Sequence, residues 1–455
     1  MRTPIRNICL TAAFLFLSAP AWAGLSAKVG TFAQPNSTGN QSITGVGFQP
    51  KIVLFWMSAP TGNGSAANVQ WGQGVATSSS NRLYFSSSAD NNVTNYTGER
   101  RATKTSCIGL VAVASATVTV EADFVSMDSD GFTVNWTTVD ATARIITYLA
   151  LGGDLSSANV GTFDTTANST GNKSITGVGF KPDCVLLIPT GIATSWPVLA
   201  GNNTRPGLGM MTASDQGVSS VSWPGAAAAL NISKSVQATN EVAENVTVAS
   251  GSNSSHNTQA SYVSMDSDGF TINITHIEAT GTSTAYIALK GGRFKIGSFN
   301  QATSTGNQVK TGIGFQPVAL LMTSINKTTN NAAIQAPATL SLGIGVSGSS
   351  EAITISSTST SSPTSASSDI GSTQIIKMMT AGGASPTTQA AATLSSLDTD
   401  GWTLNWGTAD ATAREIIYLA IGSNSIKTIN GLAKASVKTV NGLAVGSVKT
   451  WDGLP

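Results

Sequence analysis

The chain has 455 residues, and only 10% of them are charged, well below the roughly 25% of an ordinary globular domain. Lys and Arg number 24 and Asp and Glu 23, so the sequence lacks both the basic excess of a nucleic-acid binder and the Glu and Lys abundance of a coiled coil. The 41% of hydrophobic residues can build a core, which excludes disorder throughout, and the length favours about three domains.

Residues 1–23 have the pattern of a secretory signal peptide. Two arginines precede a short apolar run, and the Ala-Trp-Ala at 21–23 is a small-residue cleavage site before Gly24. The apolar run is too short for a transmembrane helix, and no later stretch is long and apolar enough. We expect cleavage before Gly24 and a protein that is secreted or on the extracellular surface, without a membrane span.

The remaining chain repeats itself three times. A Val-Gly-Thr-Phe block recurs in related form at 29–32, 160–163 and 296–299. A Gly-Phe-x-Pro block follows each time, and an Asp-x-Asp-Gly block opens the last part of each repeat. Because each unit of about 130 residues can bury its own core, we expect tandem domains rather than a solenoid. Their bounds are 24–154, 155–292 and 293–423, followed by a tail at 424–455.

The segments within each repeat have the patterns of β-strands. Residues 132–136 alternate apolar and polar side chains, and residues 52–56 form a continuous apolar run suited to a buried strand. We therefore predict an all-β protein of three tandem antiparallel β-sandwich domains. The middles of the repeats diverge, as expected when loops carry recognition. The Ser- and Thr-rich stretch 347–368 is predicted to be a long exposed loop.

The tail has a repeat of its own, with a period of 11 residues. Each copy carries Asn-Gly or Asp-Gly, the strongest signal for a two-residue hairpin turn. The sequence thus predicts a short C-terminal β-hairpin tail that pairs with another surface or chain, since so short a segment is marginal alone. It resembles the short basic Asn-Gly-Leu repeats that end some phage-related and bacterial surface proteins.

Two motifs could carry cofactor chemistry or structural bridges. The Asp-x-Asp-Gly turns resemble the start of a calcium loop, but the third ligand and the bidentate Glu are lacking, so a hairpin turn is favoured over calcium. The carboxylates concerned are Asp128, Asp130, Asp266, Asp268, Asp398 and Asp400. Asp140 with Arg144, and Asp410 with Arg414, are predicted to form structural bridges. No other cofactor is indicated.

The sequence contains no recognisable catalytic motif. There is no Gly-x-Ser-x-Gly elbow and no phosphate-binding glycine loop, and nothing positions a Ser-His-Asp triad around His256 or His276. Cys107 and Cys184 fall at non-equivalent places in different repeats, which argues against a disulfide. We therefore expect a protein that is not an enzyme.

Aromatic and amide side chains in the divergent middles are the candidate ligand contacts. An indole can stack on a sugar face while nearby amides bond the hydroxyls; the alternative is that each Trp fills the core of its own loop. The candidates are Trp71, Asn91, Asn92, Trp196, Asn202, Asn203 and Trp223. Trp136 and Trp406 are interpreted as packing residues, because repeat 2 has Ile274 at that position.

The shared blocks resemble the H-type lectin domain. They are Gly47-Phe48-Gln49-Pro50 with the strand 52–56, Gly131-Phe132 leading to Trp136, and the closing strand 148–151. The resemblance implies a six-stranded antiparallel sandwich that assembles as trimers and binds N-acetylgalactosamine-like sugars at subunit interfaces. The sugar-contacting Arg of those lectins is replaced at the matching positions by Asp123, Ser261 and Thr393, and their His by Thr137, Thr275 and Gly407.

These observations lead to two functional hypotheses. The first is a non-enzymatic surface recognition or adhesion protein whose partners are glycans or a cell-surface polysaccharide, bound by several lectin-like domains at once. The alternative is a structural subunit of a phage-like fibre, decoration or extracellular filament, in which the tail mediates self-assembly. The repeats could form a compact pseudo-threefold cluster or a linear row, and their divergent middles favour the row.

Overall fold

The computed structural model describes residues 24–424 and four short segments of the tail, 428–429, 432–433, 439–440 and 443–444. Within 24–424 the description leaves out 94–95, 116, 193–195, 202–203, 224–225, 228–232, 248–253, 279–280, 329–330, 332, 359–364 and 381–385. All regular structure in the described part is β-strand, and the all-β prediction is confirmed. No helix in that part has the length and apolarity needed to cross a membrane.

Repeat 1 contributes the first eleven strands. They are β1 Leu25–Ala33, β2 Gly39–Thr44, β3 Pro50–Ser58, β4 Gly64–Ala67, β5 Val69–Ala76, β6 Arg82–Ala89, β7 Tyr96–Thr103, β8 Ile108–Val111, β9 Val118–Asp128, β10 Gly131–Thr138 and β11 Ile145–Gly153. Six of them form a large antiparallel sheet in the order β1-β11-β3-β5-β6-β7. Four others form a small sheet in the order β2-β10-β9-β8, which covers one face of the large sheet.

Repeat 2 has the same two sheets. Its strands are β12 Ser157–Asp164, β13 Gly171–Thr176, β14 Cys184–Ile192, β15 Val198–Gly201, β16 Gly207–Thr212, β17 Gln216–Ser222, β18 Ala226–Ala227, β19 Lys234–Ala238, β20 Ala243–Thr247, β21 Ser255–Asp266, β22 Gly269–Ile277 and β23 Ser283–Lys290. The large sheet runs β12-β23-β14-β16-β17-β19 and the small sheet β13-β22-β21-β20.

Repeat 3 and the tail complete the chain. The strands of repeat 3 are β24 Arg293–Asn300, β25 Gly306–Lys310, β26 Pro317–Ser324, β27 Ala338–Val346, β28 Ser349–Thr358, β29 Ser365–Ser372, β30 Ile376–Met379, β31 Thr388–Asp398, β32 Gly401–Thr408 and β33 Glu415–Gly422. They form a large sheet, β24-β33-β26-β27-β28-β29, and a small sheet, β25-β32-β31-β30. In the tail, β34 Thr428–Ile429 pairs with β35 Leu432–Ala433, and β36 Thr439–Val440 with β37 Leu443–Ala444. In the sequence, Asn-Gly separates the two strands of each pair; these two residues lie outside the described part.

The recurring sequence blocks are explained by contacts between the first and last strands of each repeat. β1 pairs with β11 so that Gly30 faces Tyr148. A Cβ at Gly30 would lie 2.5 Å from the Tyr148 hydroxyl oxygen, so only glycine leaves room for the ring. The same contact recurs between Gly161 and Tyr286 and between Gly297 and Tyr418. Each Tyr ring then meets an aromatic ring of the small sheet edge-on; the Phe132 and Tyr148 centroids are 5.2 Å apart.

Two kinds of hydrophobic core hold the molecule together. Each repeat has a core of its own between its large and small sheets. The other faces of the three large sheets meet in a central core to which all repeats contribute, for example through Trp56, Leu186 and Leu321. The central core is continuous, so the repeats are expected to unfold together rather than one by one.

The repeats also exchange backbone strands in a cycle. β4 of repeat 1 extends the large sheet of repeat 3 by pairing with β29, and β15 of repeat 2 extends that of repeat 1 by pairing with β7. Ser235 of repeat 2 forms a bridge with Gln335 of repeat 3, which closes the cycle. Since repeats 1 and 3 pair directly, the expected linear row is wrong. The repeats form the compact cluster, a closed ring in which each repeat contacts the other two.

The Ser- and Thr-rich stretch 347–368 is not the predicted exposed loop. Most of it belongs to β28 and β29, which are largely buried. Three of its buried hydroxyls have internal partners: Thr354 donates to the carbonyl of Lys377, and the hydroxyls of Ser356 and Ser367 lie 2.8 Å apart. Interleaved Ile353 and Ile355 supply the apolar face, so composition concealed an alternating strand pattern.

The expectations for the cysteines and for the Asp–Arg pairs agree with the structure. Cys107 and Cys184 are free and buried. Asp140 and Arg144 form an ion pair of 3.1 Å, as do Asp410 and Arg414. In repeat 2 the equivalent acid, Glu278, accepts hydrogen bonds from Ser255 and Thr247 instead, and these donors lower its pKa.

Burial of Glu351 on β28 should give the fold a measurable pH dependence. Burial raises the pKa of Glu351 to about 7, whereas the pKa of a Glu side chain in the unfolded chain is about 4.3. Between these values the folded state retains a proton that the unfolded state releases, so this group lowers stability as pH rises toward 7. Glu351→Gln should therefore gain stability relative to wild type between pH 5 and pH 8, as measured by urea unfolding. Parallel pH profiles for the two proteins would contradict this account.

Candidate functional site

The outward face of each small sheet carries a grid of side chains that are polar except for Val309 in repeat 3. In repeat 1, Val120, Ala122 and Phe124 of β9 face the core, and the alternating residues between them face outward. Three adjacent strands then place six outward positions in two rows, which we call the outer grid. Its members are Asn40, Asn135 and Asp123 in one row and Ser42, Thr133 and Ser126 in the other.

The outer grid recurs in the other two repeats at the same register. In repeat 2 it consists of Asn172, Asn273 and Ser261 with Ser174, Thr271 and Ser264. In repeat 3 it consists of Asn307, Asn405 and Thr393 with Val309, Thr403 and Ser396. The cross-strand Asn–Asn pair is therefore common to all three grids. The position beside it varies between Asp123, Ser261 and Thr393.

The asparagines of the grids are available to a ligand in two repeats. Among the described residues, the side-chain amides of Asn40, Asn135, Asn172 and Asn273 make no hydrogen bond to another residue. In repeat 3 the Asn405 amide donates to Asn307 at 2.7 Å, which orients the pair. An amide offers two donors and an acceptor, the combination that recognises adjacent hydroxyl groups.

The second row of each grid is fixed by the Asp-x-Asp-Gly turn. The Asp128 carboxylate accepts the hydroxyls of Ser126 and Thr133, each at 2.7 Å. Ser42 then contacts Thr133 at 2.8 Å. Asp266 and Asp398 make the corresponding bonds in repeats 2 and 3, and the two hydroxyl donors lower the pKa of Asp266. These bonds set the hydroxyl orientations along the row.

The second aspartate of each turn holds the neighbouring glycine loop. The two oxygens of Asp130 accept the backbone N–H groups of Gly45 and Gly47 at 3.0 and 2.6 Å. Asp268 and Asp400 do the same in their repeats, and the N–H donors of Gly314 and Gly312 lower the pKa of Asp400. Asp130 and its equivalents therefore cap a neighbouring loop.

The calcium alternative gains no support from this arrangement. All six carboxylates are engaged in the bonds described above. In the part of the chain that the structure covers, no group of three or more His, Cys, Asp or Glu side chains is placed to hold a metal ion.

The aromatic residues predicted to contact a sugar are not brought together. Trp71 and Trp223 are 0% and 1% exposed in the central core, so neither offers a face to a ligand, and that prediction is wrong. Trp196 is half-buried, and its indole N–H donates to Ser283 at 2.9 Å. The alternative, that a Trp fills a core, holds for Trp71 and Trp223.

The predicted amide contacts are dispersed as well. Asn91 accepts the backbone N–H of Ala366 at 2.9 Å and so connects repeats 1 and 3. Asn92 is exposed in the following turn. Asn202 and Asn203 lie outside the described residues. The packing role of Trp136 and Trp406 is confirmed: both are buried, and their indoles donate to Gln41 and Gln308.

A titratable cluster in repeat 2 is built around the close pair Glu244 and His256. The buried Glu244 carboxyl lies 2.5 Å from Nδ1 of His256, and burial raises the pKa of Glu244 and lowers that of His256. Both groups therefore favour their neutral forms near pH 7. Gln259 donates to Glu244 and also to Glu241. His276 is half-buried on β22.

Sequence reasoning missed the grid asparagines, although a signal was present. Each repeat has Gly-Asn at the start of its second strand and Asn in the strand after the Asp-x-Asp-Gly turn. These two asparagines recur in blocks whose other residues form turns or the core. Their recurrence indicated a surface position shared by all repeats.

Comparisons with known proteins add little to the geometry. No family model matches the chain, and no characterised protein matches it. A crystal structure of the LG1-3 region of the laminin α2 chain aligns over 88% of this chain and 96% of its own, with 10% identity and a TM-score of 0.09. A likeness at that score carries no argument about function.

Proposed function

We propose that this chain is an exported, non-enzymatic recognition protein whose three outer grids bind carbohydrate hydroxyls. The observation that carries the proposal is the repetition of the same Asn–Asn pair. It occurs at the same register on the outward face of the small sheet in each of the three repeats of the closed ring. Amide and hydroxyl groups with few charges suit a polyhydroxylated ligand such as a glycan or cell-surface polysaccharide. The H-type lectin resemblance supports this proposal, although the Arg that those lectins use is replaced at all three positions.

Three weak sites on one rigid body would act together on a repetitive ligand. Single sugar contacts are weak, but linked sites raise the local concentration of each remaining site once one is bound. The closed ring fixes the spacing of the grids, so a polysaccharide or a dense glycan layer would be favoured over a free monosaccharide. This behaviour fits an adhesion or surface-recognition role.

Retention of the mature chain on a glycan array tests this proposal. The triple variant Asn135→Ala, Asn273→Ala, Asn405→Ala should reduce retention about 100-fold, and each single variant should reduce it far less, because the other grids remain. The matched control replaces three equivalent exposed loop serines, Ser37, Ser169 and Ser304, by alanine and should bind like wild type. Wild-type retention by the triple grid variant would refute the proposal.

The competing role is a structural subunit of a phage-like fibre or extracellular filament. The two paired strand segments of the tail, which follow the closed ring, favour this structural role. So short a pair of strands gains stability by pairing with another chain. Light scattering and electron microscopy on the mature chain, with a chain ending at residue 423 as control, distinguish the roles. Tail-dependent polymers without glycan retention would favour the structural role.

A further inference from the structure

The ring contains three equivalent clefts between neighbouring repeats. In each, the first strand of one repeat meets a turn from the large sheet of another. β12 meets the turn 77–81 of repeat 1, β24 meets the turn 213–215 of repeat 2, and β1 meets the turn 347–348 of repeat 3. The first strands β1, β12 and β24 share a Val or Ile that recurs in all three repeats. The residue before it lies at each cleft: Lys28, Asn159 and Lys295.

Two of the clefts are closed by side chains of the protein. In the cleft between repeats 1 and 2, the Asn81 amide donates to the carbonyl of Val160 at 2.8 Å and accepts its N–H at 3.0 Å. In the cleft between repeats 2 and 3, Lys295 pairs with Asp215 at 2.9 Å. Each turn thus supplies the side chain that satisfies the opposite strand.

The third cleft lacks such a partner. The turn of repeat 3 is Ser347-Gly348, which offers neither an amide nor a carboxylate, and the contact is made by the Ser349 hydroxyl to the carbonyl of Val29 at 3.2 Å. Lys28 lines the cleft, and its ammonium forms no ion pair within the described part of the chain. A cavity of about 380 Å³ remains, within the range of small-molecule sites.

The lining of this cavity combines one cation with an amide, hydroxyls and apolar surface. The amide is that of Gln316, which donates to the carbonyl of Leu397 at 2.9 Å. Ser347 and Ser349 provide hydroxyls, and Val318, Ala27 and Leu397 provide the apolar wall. Glu351, the next acid along β28 from Ser349, is half-buried and forms no ion pair within the described residues. The Lys28 side chain therefore faces the cavity without an acidic partner among the described residues.

We propose that the cleft between repeats 1 and 3 binds a small carboxylate-bearing sugar, a hexuronate, through Lys28. The ligand carboxylate takes the place that Asp215 occupies beside Lys295 in the neighbouring cleft. The sugar hydroxyls meet the two serines, and the ring C–H groups lie on the apolar wall. The site is single in the ring and separate from the three outer grids, so it does not depend on the function proposed for them.

Saturation-transfer NMR with the mature chain and D-glucuronate tests the proposal. Wild type should bind glucuronate at least about tenfold more tightly than glucose, and the preference should weaken as salt is raised, because a partly exposed ion pair is screened. Lys28→Gln should remove the preference and Lys28→Arg should retain it. Lys295→Gln, at the equivalent position of a closed cleft, is the matched control and should bind glucuronate like wild type.

The outcomes separate this site from the outer grids. Equal binding of glucuronate and glucose, or an unchanged preference in Lys28→Gln, would overturn the proposal. The triple Asn variant of the grids should leave glucuronate binding unchanged, and Lys28→Gln should leave neutral glycan retention unchanged. Far-ultraviolet circular dichroism and a melting curve establish that each variant is folded.

Discussion

Asp369→Ala should lower the free energy of unfolding by about 3–5 kcal/mol. Asp369 and Lys377 form a 2.5 Å ion pair in repeat 3, with side chains only 2% and 9% exposed. Asp369 also accepts the hydroxyl of Ser65, on the strand that repeat 1 contributes to this sheet, at 2.6 Å. Truncation leaves a buried ammonium group without its counterion and removes a bond between repeats. Urea unfolding of wild type and variant measures the loss.

An exposed ion pair between repeats provides the control. Lys295 and Asp215 also join two repeats, but their side chains are 37% and 20% exposed. Lys295→Ala should cost no more than about 1 kcal/mol. The double variant Asp369→Leu, Lys377→Met should recover much of the stability lost in Asp369→Ala, because no uncompensated charge remains. Similar costs for Asp369→Ala and Lys295→Ala would contradict the buried strand exchange.

Trp223→Ala is the second substitution expected to have a large effect, about 3–5 kcal/mol. Trp223 belongs to repeat 2, lies in the central core, and donates its indole N–H to the carbonyl of Ser88 in repeat 1 at 3.1 Å. Its removal leaves a cavity where repeats meet. Because the core is shared, calorimetry should show one transition moved to lower temperature rather than the separate melting of one repeat.

Trp223→Phe distinguishes packing from hydrogen bonding. Phenylalanine keeps most of the buried volume and loses the indole N–H, so it should cost roughly 1–2 kcal/mol, less than alanine. If Trp223 were a surface contact for a ligand, both variants would leave stability unchanged and impair binding alone. That outcome would contradict its place in the core.

The strands that begin and end each repeat could be predicted from the sequence, because their patterns are local. Alternation in 132–136 and the apolar run 52–56 depend only on which face of a sheet is buried. The recurrence of the Asp-x-Asp-Gly block likewise marked a turn. The contact of Asp130 with Gly45 and Gly47 joins residues far apart in the chain and needed the structure.

The exchange of strands between repeats could not be predicted, because the exchanged segments carry no distinctive pattern. β4 reads Gly-Ser-Ala-Ala and β15 Val-Leu-Ala-Gly, four small or apolar residues each, which fit the edge of any sheet. Edge pairing depends on backbone groups rather than side chains. These exchanged segments and the turns at the clefts lie in the divergent middles of the repeats. The divergence of those middles was the reason to expect a row of domains.

The candidate site was misplaced for a related reason. A Trp in a divergent segment fits a sugar platform and a core equally well. Trp71 lies on the same face of β5 as Val69 and Val75. That face packs on the central core rather than on the core of its own repeat. A core shared by three repeats is not visible in the sequence of one.

Small-angle X-ray scattering on residues 24–423 tests the closed ring most directly. A compact chain of this length has a radius of gyration of about 21 Å. Three globules of about 130 residues in a row would give roughly 30 Å. The ring, with its exchanged strands and common core, predicts the smaller value and a single-peaked distance distribution. A radius near the larger value, with an elongated distribution, would contradict it.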